Sequence, residues 1–367
     1  MRETWGELSA LLTANAYLKQ IPLSGQFELT PRCNLSCKMC YICKNSGDKE
    51  IIKKELKTRE WIELGQSAFR MGTLFILLTG GEIFLKEDFR EIYEEYVKMG
   101  FSISLNSNGT LITPKTASWL GNIPPSQIDI TLYGASRETY SKVCGNPDGF
   151  DQTLRGVALL RDQGINVGLR TTIIKSNMDD YDKMAEIAKG FDLDLGVVNY
   201  ISPRRDDNLK MPQEIRLAPK DLAVFEKKLV DNIELPGDEE RERALLEAGD
   251  YAAANLEIAG ALSDDRIFPC DSGKIAYWIA WDGRMIPCPN MNKPVTYPLK
   301  EGLLNAWDRL KILCKTIPVC TECKACSYKE KCCSCPANLY GETGFYDRPA
   351  SYLCELAKER ANTIKTL

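Results

Sequence analysis

Between residues 25 and 202 the chain alternates six times between a short apolar run and a longer amphipathic stretch. QFELT (26–30), LFILLT (74–79), FSISLNSNG (101–109), IDITLYG (128–134), INVGLRTTII (165–174) and LDLGVVNYIS (193–202) read as strands. LFILLT is apolar throughout and ends in Gly80-Gly81, the pattern of a buried parallel strand. Asp88 opens a helix, DFREIYEEYVKM, that Gly100 closes at the expected C′ position. A second helix through LRGVALLRDQ stops at Gly164, and residues 179–189 read as a third. Such alternation implies right-handed βαβ units on a parallel sheet. Six units fall short of a closed eight-stranded barrel. The expected fold is α/β, an open, partial (β/α)6 barrel whose site gathers at the C-terminal strand ends.

Around this core the expected organisation is an N-terminal helix (1–24), the barrel (25–202), a helical bridge (203–262) and a C-terminal unit (263–367). The start, MRETWGELSALLTANAYLKQ, carries Glu3 and Glu7 and no clean apolar core, so it reads as a short amphipathic helix and not as a signal peptide. The bridge is charged, with PRRDD at its start and DEERERALLE later. From about residue 263 the texture changes to short strands, Gly, Pro and ten of the fifteen cysteines. That last unit has too little apolar material to fold unaided.

A net charge of −4 offers no basic footprint for nucleic acid. No apolar run reaches the roughly 18 residues a membrane span needs. Without an export signal the expected location is the cytoplasm, where thiols stay reduced, so fifteen cysteines point to metal rather than to disulfides. The chain has no histidine. Mixed Cys/His zinc sites, a His general base and a Ser-His-Asp triad are therefore excluded, and proton chemistry falls to Asp, Glu, Tyr, Lys or Cys.

PRCNLSCKMCY (31–41) places Cys33, Cys37 and Cys40 at C-x3-C-x2-C just after the first strand. Three thiolates can hold three irons of a [4Fe–4S] cube and leave the fourth open. A zinc knuckle using Cys43 as a fourth ligand, or a closed electron-transfer cluster, would suit the same residues. TGGE (79–82) ends the second strand; two glycines there let backbone approach a ligand, and the carboxylate can meet an ammonium group. An ordinary βα turn is the plainer reading of that motif.

These features together resemble the radical S-adenosylmethionine (SAM) enzymes, whose TIM-like core carries a C-x3-C-x2-C loop after its first strand. The resemblance covers about residues 25–202. It implies that Cys33, Cys37 and Cys40 hold a cluster whose open iron chelates SAM, and that an electron then releases a 5′-deoxyadenosyl radical that abstracts hydrogen. Gly80, Gly81 and Glu82 match the SAM amino-group motif, and Asn106, Ser107 and Arg170 resemble ribose and carboxylate contacts. The family's aromatic residue before the last cysteine is absent; Met39 holds that place and Tyr41 follows, so either can pack on the adenine. Cys43, outside the signature, reads as a loop thiol.

The C-terminal cysteines resemble the SPASM extension of these enzymes. Cys270, the G-x4-C unit of Gly283 and Cys288, then Cys323, Cys326, Cys332, Cys335 and Cys354 follow its order, with a final spacing of two residues instead of three. The resemblance implies two auxiliary [4Fe–4S] clusters, one on Cys270, Cys288 and Cys335, the other on Cys323, Cys326, Cys332 and Cys354. Cys320, Cys333 or an open iron completes the first. Paired four-cysteine zinc sites are the alternative. Cys144 and Cys314 fall outside every pattern.

The implied activity is radical modification of a peptide or protein side chain to an oxidised or crosslinked (thioether, C–C or ether) product, served by a reductant such as flavodoxin or ferredoxin. Formylglycine formation of the sulfatase-maturase type, or dehydrogenation or epimerisation of a small molecule, is the alternative; a non-catalytic electron-transfer or zinc module is a third class. About 25 residues precede the first strand, so a leader would be held by the barrel, the bridge or a separate leader-binding protein. Tyr200, Arg204, Arg205 and Asp206, at or just after the sixth strand, are the candidate catalytic side chains, against a plain reading as a solvated charged loop.

Overall fold

The computed structural model describes residues 5–42, 44–205, 212–231 and 268–365. Its centre is an eight-stranded sheet. Six strands match the sequence expectation: β1 (Ser24–Glu28), β2 (Phe75–Thr79), β3 (Ser102–Ser107), β4 (Gln127–Thr131), β5 (Val167–Thr172) and β6 (Leu195–Val198). Each pairs parallel with the next, so chain order is sheet order across this part. Between them run helices α2 (Thr58–Arg70), α3 (Phe89–Lys98), α4 (Pro114–Asn122), α5 (Arg137–Cys144), α6 (Gly149–Asp162) and α7 (Tyr181–Gly190), after α1 (Trp5–Lys19) at the start.

The other two strands come from far along the chain. β7 (Ala276–Ile279) pairs parallel with the free edge of β1, and β8 (Met285–Ile286) pairs antiparallel with β7. All four residues of β7 are buried. The sheet therefore crosses the line drawn from sequence between the barrel and residues 263–367. The physical gain is plain: an uncovered β1 would expose a row of unpaired backbone groups beside the cysteine loop. Aromatic packing reinforces the join, with Phe27 of β1 5.7 Å from Trp61, 5.8 Å from Tyr96 and 6.2 Å from Tyr277. Tyr277 in turn lies 5.9 Å from Trp307 in α9 (Leu303–Lys315), where α8 (Pro219–Asp231) precedes β7.

Two details depart from the sequence reading. The middle strands are not buried on both faces: β4 alternates half-buried Gln127, Asp129 and Thr131 with buried Ile128 and Ile130. Ile128 and Ile130 join the main core, while Thr131 on the other face of the strand reaches the cavity wall. α1 is helical but not amphipathic, since Leu8, Leu11 and Leu18 are exposed while Ala14 and Ala16 are buried. The bridge is helical over Pro212–Ile215 and α8; DEERERALLE lies outside the described residues, as do Cys43 and Asp206. Among the described residues no helix is long and apolar enough to cross a membrane.

Candidate functional site

A cavity of about 390 Å³ opens at the C-terminal ends of the strands. Cys33, Cys37 and Cys40 all line it, with Met39, Tyr41, Gly80, Gly81, Asn106 and Ser107. The cysteine loop is clamped from two sides. The backbone N–H groups of Ser36 and Lys38 donate to Cys144 and Val143 at the end of α5, at 2.9 and 3.0 Å. On the other side the Gly80-Gly81 turn lies against the loop's stem: Gly81 N–H donates to the Thr30 carbonyl at 2.7 Å and Glu82 N–H to that of Arg32 at 2.8 Å. A methyl group on Gly80 would lie 2.3 Å from the Thr30 carbonyl oxygen, and one on Gly81 2.2 Å from that of Arg32. Glycine is required here for close approach of two backbones.

The thiols suit a cationic cluster. Burial pushes Cys33 up to about 12, so a thiolate there needs a compensating cation. Two donors already point at its sulfur, the Leu35 N–H at 3.4 Å and the Asn108 amide at 3.6 Å. Cys37 is pushed well up by its contact with Cys144 and by burial. Among the described residues no three Cys, Asp or Glu converge as ligands of one metal ion; a cube puts each thiolate on a different iron.

Glu82 is not on the cavity wall. It is fully buried, and its carboxylate accepts from the Ser107 hydroxyl at 2.9 Å, the Asn108 N–H at 2.8 Å and the Phe84 N–H at 3.1 Å. Burial pushes it up to about 7 against the pull of those donors. Its visible role is to fasten the glycine turn to the end of β3. Ser107 therefore reaches both the cavity and Glu82, while Asn106 is exposed on the lumen side. Arg170 does not reach the cavity: two residues below Thr172, it pairs with Asp129 at 2.7 Å in the lumen. Met39 and Tyr41 both line the cavity.

Sequence reasoning missed Asn108, whose amide donates to Asn34 at 2.9 Å and whose oxygen accepts from the Thr110 N–H at 2.9 Å. It also missed Tyr133, Trp278 and Asn290 on the cavity wall. The polar run NSNG at a strand end was a usable signal for Asn108; no local signal announced the two C-terminal residues.

Tyr200 lines the cavity and donates its hydroxyl to Glu342 at 2.8 Å, in α10 (Pro336–Thr343). Arg216 grips the same carboxylate, one contact being 2.9 Å, and lies over the Tyr352 ring at 3.4 Å. Both charged side chains are nearly inaccessible, and among the described residues the Arg216 Nε has no partner. Truncating one member of a buried pair strands the other charge. Glu342→Ala should therefore cost about 3–5 kcal/mol, and a denaturation midpoint equal to that of the parent would show that Arg216 is solvated instead. Arg204 is not on the cavity wall, and Arg205 turns inward onto Glu28.

Ten cysteines lie C-terminal, and eight of them sort into two groups. Cys288 is pushed up to about 12 by burial and then by neighbouring Cys335 and Cys270. Cys335 is in turn raised by burial, Cys270 and Cys333. In the other group Cys323 is pushed to about 12 by burial and by its contact with Cys320, then by Cys354 and Cys332. Cys354 likewise feels Cys332, Cys326 and Cys320. Of the two surplus cysteines, Cys320 stands with the second group, whereas Cys333 lies between the two: it acts on Cys335 of the first and is itself raised by burial and by Cys332 of the second, against which it also packs. Backbone N–H groups of Asn338 and Tyr328 point at Cys335 and Cys326, each at 3.4 Å. The remaining thiol, Cys314, is buried in α9.

The model of the radical SAM superfamily matches residues 27–188. The chain is 24% identical over 335 residues to the AdoMet-dependent heme synthase of Methanosarcina barkeri (strain Fusaro / DSM 804), covering 87% of this chain and 93% of that protein. It is 36% identical to the Fe-coproporphyrin III synthase of the same organism over 42% of this chain and 38% of that protein. With the PqqA peptide cyclase of Rhizobium meliloti (strain 1021) it shares 27% identity over 46% of this chain and 44% of that one. The chain thus spans less than half the length of the last two. Streptococcus suis SuiB bound to precursor peptide SuiA superposes with a TM-score of 0.67 at 15% identity, over 96% of this chain and 82% of SuiB. Native anSMEcpe with bound AdoMet and Cp18Cys peptide gives 0.64 at 18% identity, over 94% and 97%. At these identities the likeness is one of fold. It is over residues 27–188, where the sheet carries its cysteine loop and glycine turn, that the chain is similar to the radical SAM superfamily.

Proposed function

We propose that the chain is a radical SAM enzyme that abstracts hydrogen from a peptide side chain and yields an oxidised or crosslinked peptide. The observation that carries this reading is the convergence of Cys33, Cys37, Cys40 and the Gly80-Gly81 turn on one cavity. When bound, a [4Fe–4S] cluster and SAM supply a 5′-deoxyadenosyl radical. The three thiols would hold the cluster, and Gly80, Gly81, Asn106 and Ser107 would meet SAM. Met39 or Tyr41 would cover the adenine. Tyr200, its phenol aimed at Glu342, is the candidate to position the substrate. Hydroxyl, amide and apolar side chains form the rest of the wall, and the space of about 390 Å³ must also hold SAM and the cluster. The substrate we infer is a side chain reaching in from an extended peptide. The peptides bound to SuiB and anSMEcpe, proteins of the same fold, support this.

The C-terminal groups would hold two auxiliary clusters, one on Cys270, Cys288 and Cys335, the other on Cys323, Cys326, Cys332 and Cys354 with Cys320 alongside, and with Cys333 between the two. Residues 263–367 would then be an auxiliary-cluster unit attached to the barrel through β7, with 1–24 a leading helix and 203–262 a bridge. A flavodoxin- or ferredoxin-type reductant is the partner this reading asks for, and a leader would be held by the barrel, the bridge or a separate leader-binding protein. Formylglycine formation belongs to the same reading of the cavity.

One observation favours a second substrate class. The relative that aligns over 87% of the chain is a heme synthase, so a tetrapyrrole is the competitor. Anaerobic reconstitution should load about twelve irons, three cubes of four; saturation at four, with bound zinc, would overturn the auxiliary sites. Incubation with SAM, reductant and either candidate peptides or Fe-coproporphyrin III, followed by mass measurement of both, separates the substrates. A changed tetrapyrrole beside unchanged peptides would overturn the peptide reading.

A further inference from the structure

Glu28 ends β1 with its carboxylate fully buried, and Arg205, only 7% exposed, closes on it with both terminal nitrogens at 3.0 and 2.6 Å. The Trp278 indole N–H donates to the same carboxylate at 3.1 Å. The guanidinium lies 5.6 Å over the Tyr41 ring. A buried ion pair is seldom the most stable filling for such a space, so its position is informative. Tyr41 and Trp278 face the cavity that Cys40 lines. Cys288 is within electrostatic reach of both Arg205 and Tyr41. Asn292, just past the turn that Met291 N–H closes onto the Cys288 carbonyl at 3.1 Å, donates its amide to the Arg205 carbonyl. Arg205 is thus anchored to the barrel by its side chain and to the Cys288 loop by its backbone.

We propose that Arg205, oriented by Glu28, is a positioning residue that sets the reduction potential of the auxiliary cluster held by Cys288, across the wall that Tyr41 and Trp278 form with the cavity. This rests on the auxiliary-cluster reading above. Reduction adds one negative charge to a cluster, and a fixed guanidinium in a dry site favours the more negative state. Charge at this position therefore shifts the potential with a defined sign, which packing alone does not.

The test is an anaerobic redox titration followed by EPR in the Cys33→Ala/Cys37→Ala/Cys40→Ala background, reading the signal that Cys288→Ala removes. Arg205→Gln should make the reduced state about tenfold less favoured, about 59 mV more negative for a one-electron couple. Arg205→Lys should stay within about threefold of the parent, on the strength of the retained charge. Glu28→Gln, which keeps shape and an acceptor, should move the potential the other way, and it decides the matter should Arg205→Gln lose its iron. An unmoved potential in Arg205→Gln, equal shifts in Arg205→Gln and Arg205→Lys, or a negative shift in Glu28→Gln would overturn the inference. Full iron content and an unchanged spectrum in Cys288→Ala would instead overturn the auxiliary-cluster reading beneath it.

Discussion

Replacing Cys33, Cys37 and Cys40 together by Ala should abolish 5′-deoxyadenosine formation and lower iron from about twelve to about eight per chain, because each cube carries four irons. The three thiols line the cavity together, and Cys144, which contacts Cys37, is a single buried thiol that cannot replace them. The C-terminal groups draw on cysteines beyond residue 269 and should keep their metal. Iron analysis and quantification of 5′-deoxyadenosine on the same sample decide the outcome. Retained cleavage would place the reactive cluster in one of the C-terminal groups.

Gly81→Ala should do nearly the same with every cysteine in place. The added methyl would sit 2.2 Å from the Arg32 carbonyl oxygen and 2.6 Å from its carbon, both backbone atoms. Neither chain can step aside cheaply, because Gly81 and Glu82 are hydrogen-bonded to that stem at 2.7 and 2.8 Å. Overpacking of this kind costs about 1–3 kcal/mol, a strain a chain of this size can survive. The damage falls on position: the stem that moves carries Cys33, and a displacement of about 1 Å at a reacting site can cost about 100-fold in rate. The expected result is a folded protein with SAM cleavage down at least about 100-fold. Gly47→Ala is the control, since a methyl there meets nothing nearer than 3.6 Å. Equal activity in the two variants would show that the turn does not hold the cysteine loop.

The barrel was legible because its signals are local. LFILLT and INVGLRTTII announce strands by composition, and Gly100 and Gly164 announce helix ends in a left-handed conformation, at φ of 87° and 69°. The triad was legible for the same reason, since one short loop carries all three thiols. Glu82 was identified as important but its partner was not foreseen. From sequence a carboxylate beside two glycines suits an ammonium group; in the fold its oxygens are taken by Ser107, Asn108 and Phe84. Arg170 met a similar fate, held by Asp129 one strand away.

Chain order by itself determined the six βα units, the three-thiol loop, the glycine turn and the separation of a cysteine-rich end, because each depends on spacings of a few residues. Only the tertiary structure decided that β7 closes the β1 edge from some 250 positions away, that Arg205 turns inward to Glu28 while Tyr200 faces the cavity, and that Cys320 joins the second cysteine group. Pairing energy depends on distance in space, and a buried charge takes whichever opposite charge the packing leaves within reach; no spacing along the chain encodes that choice.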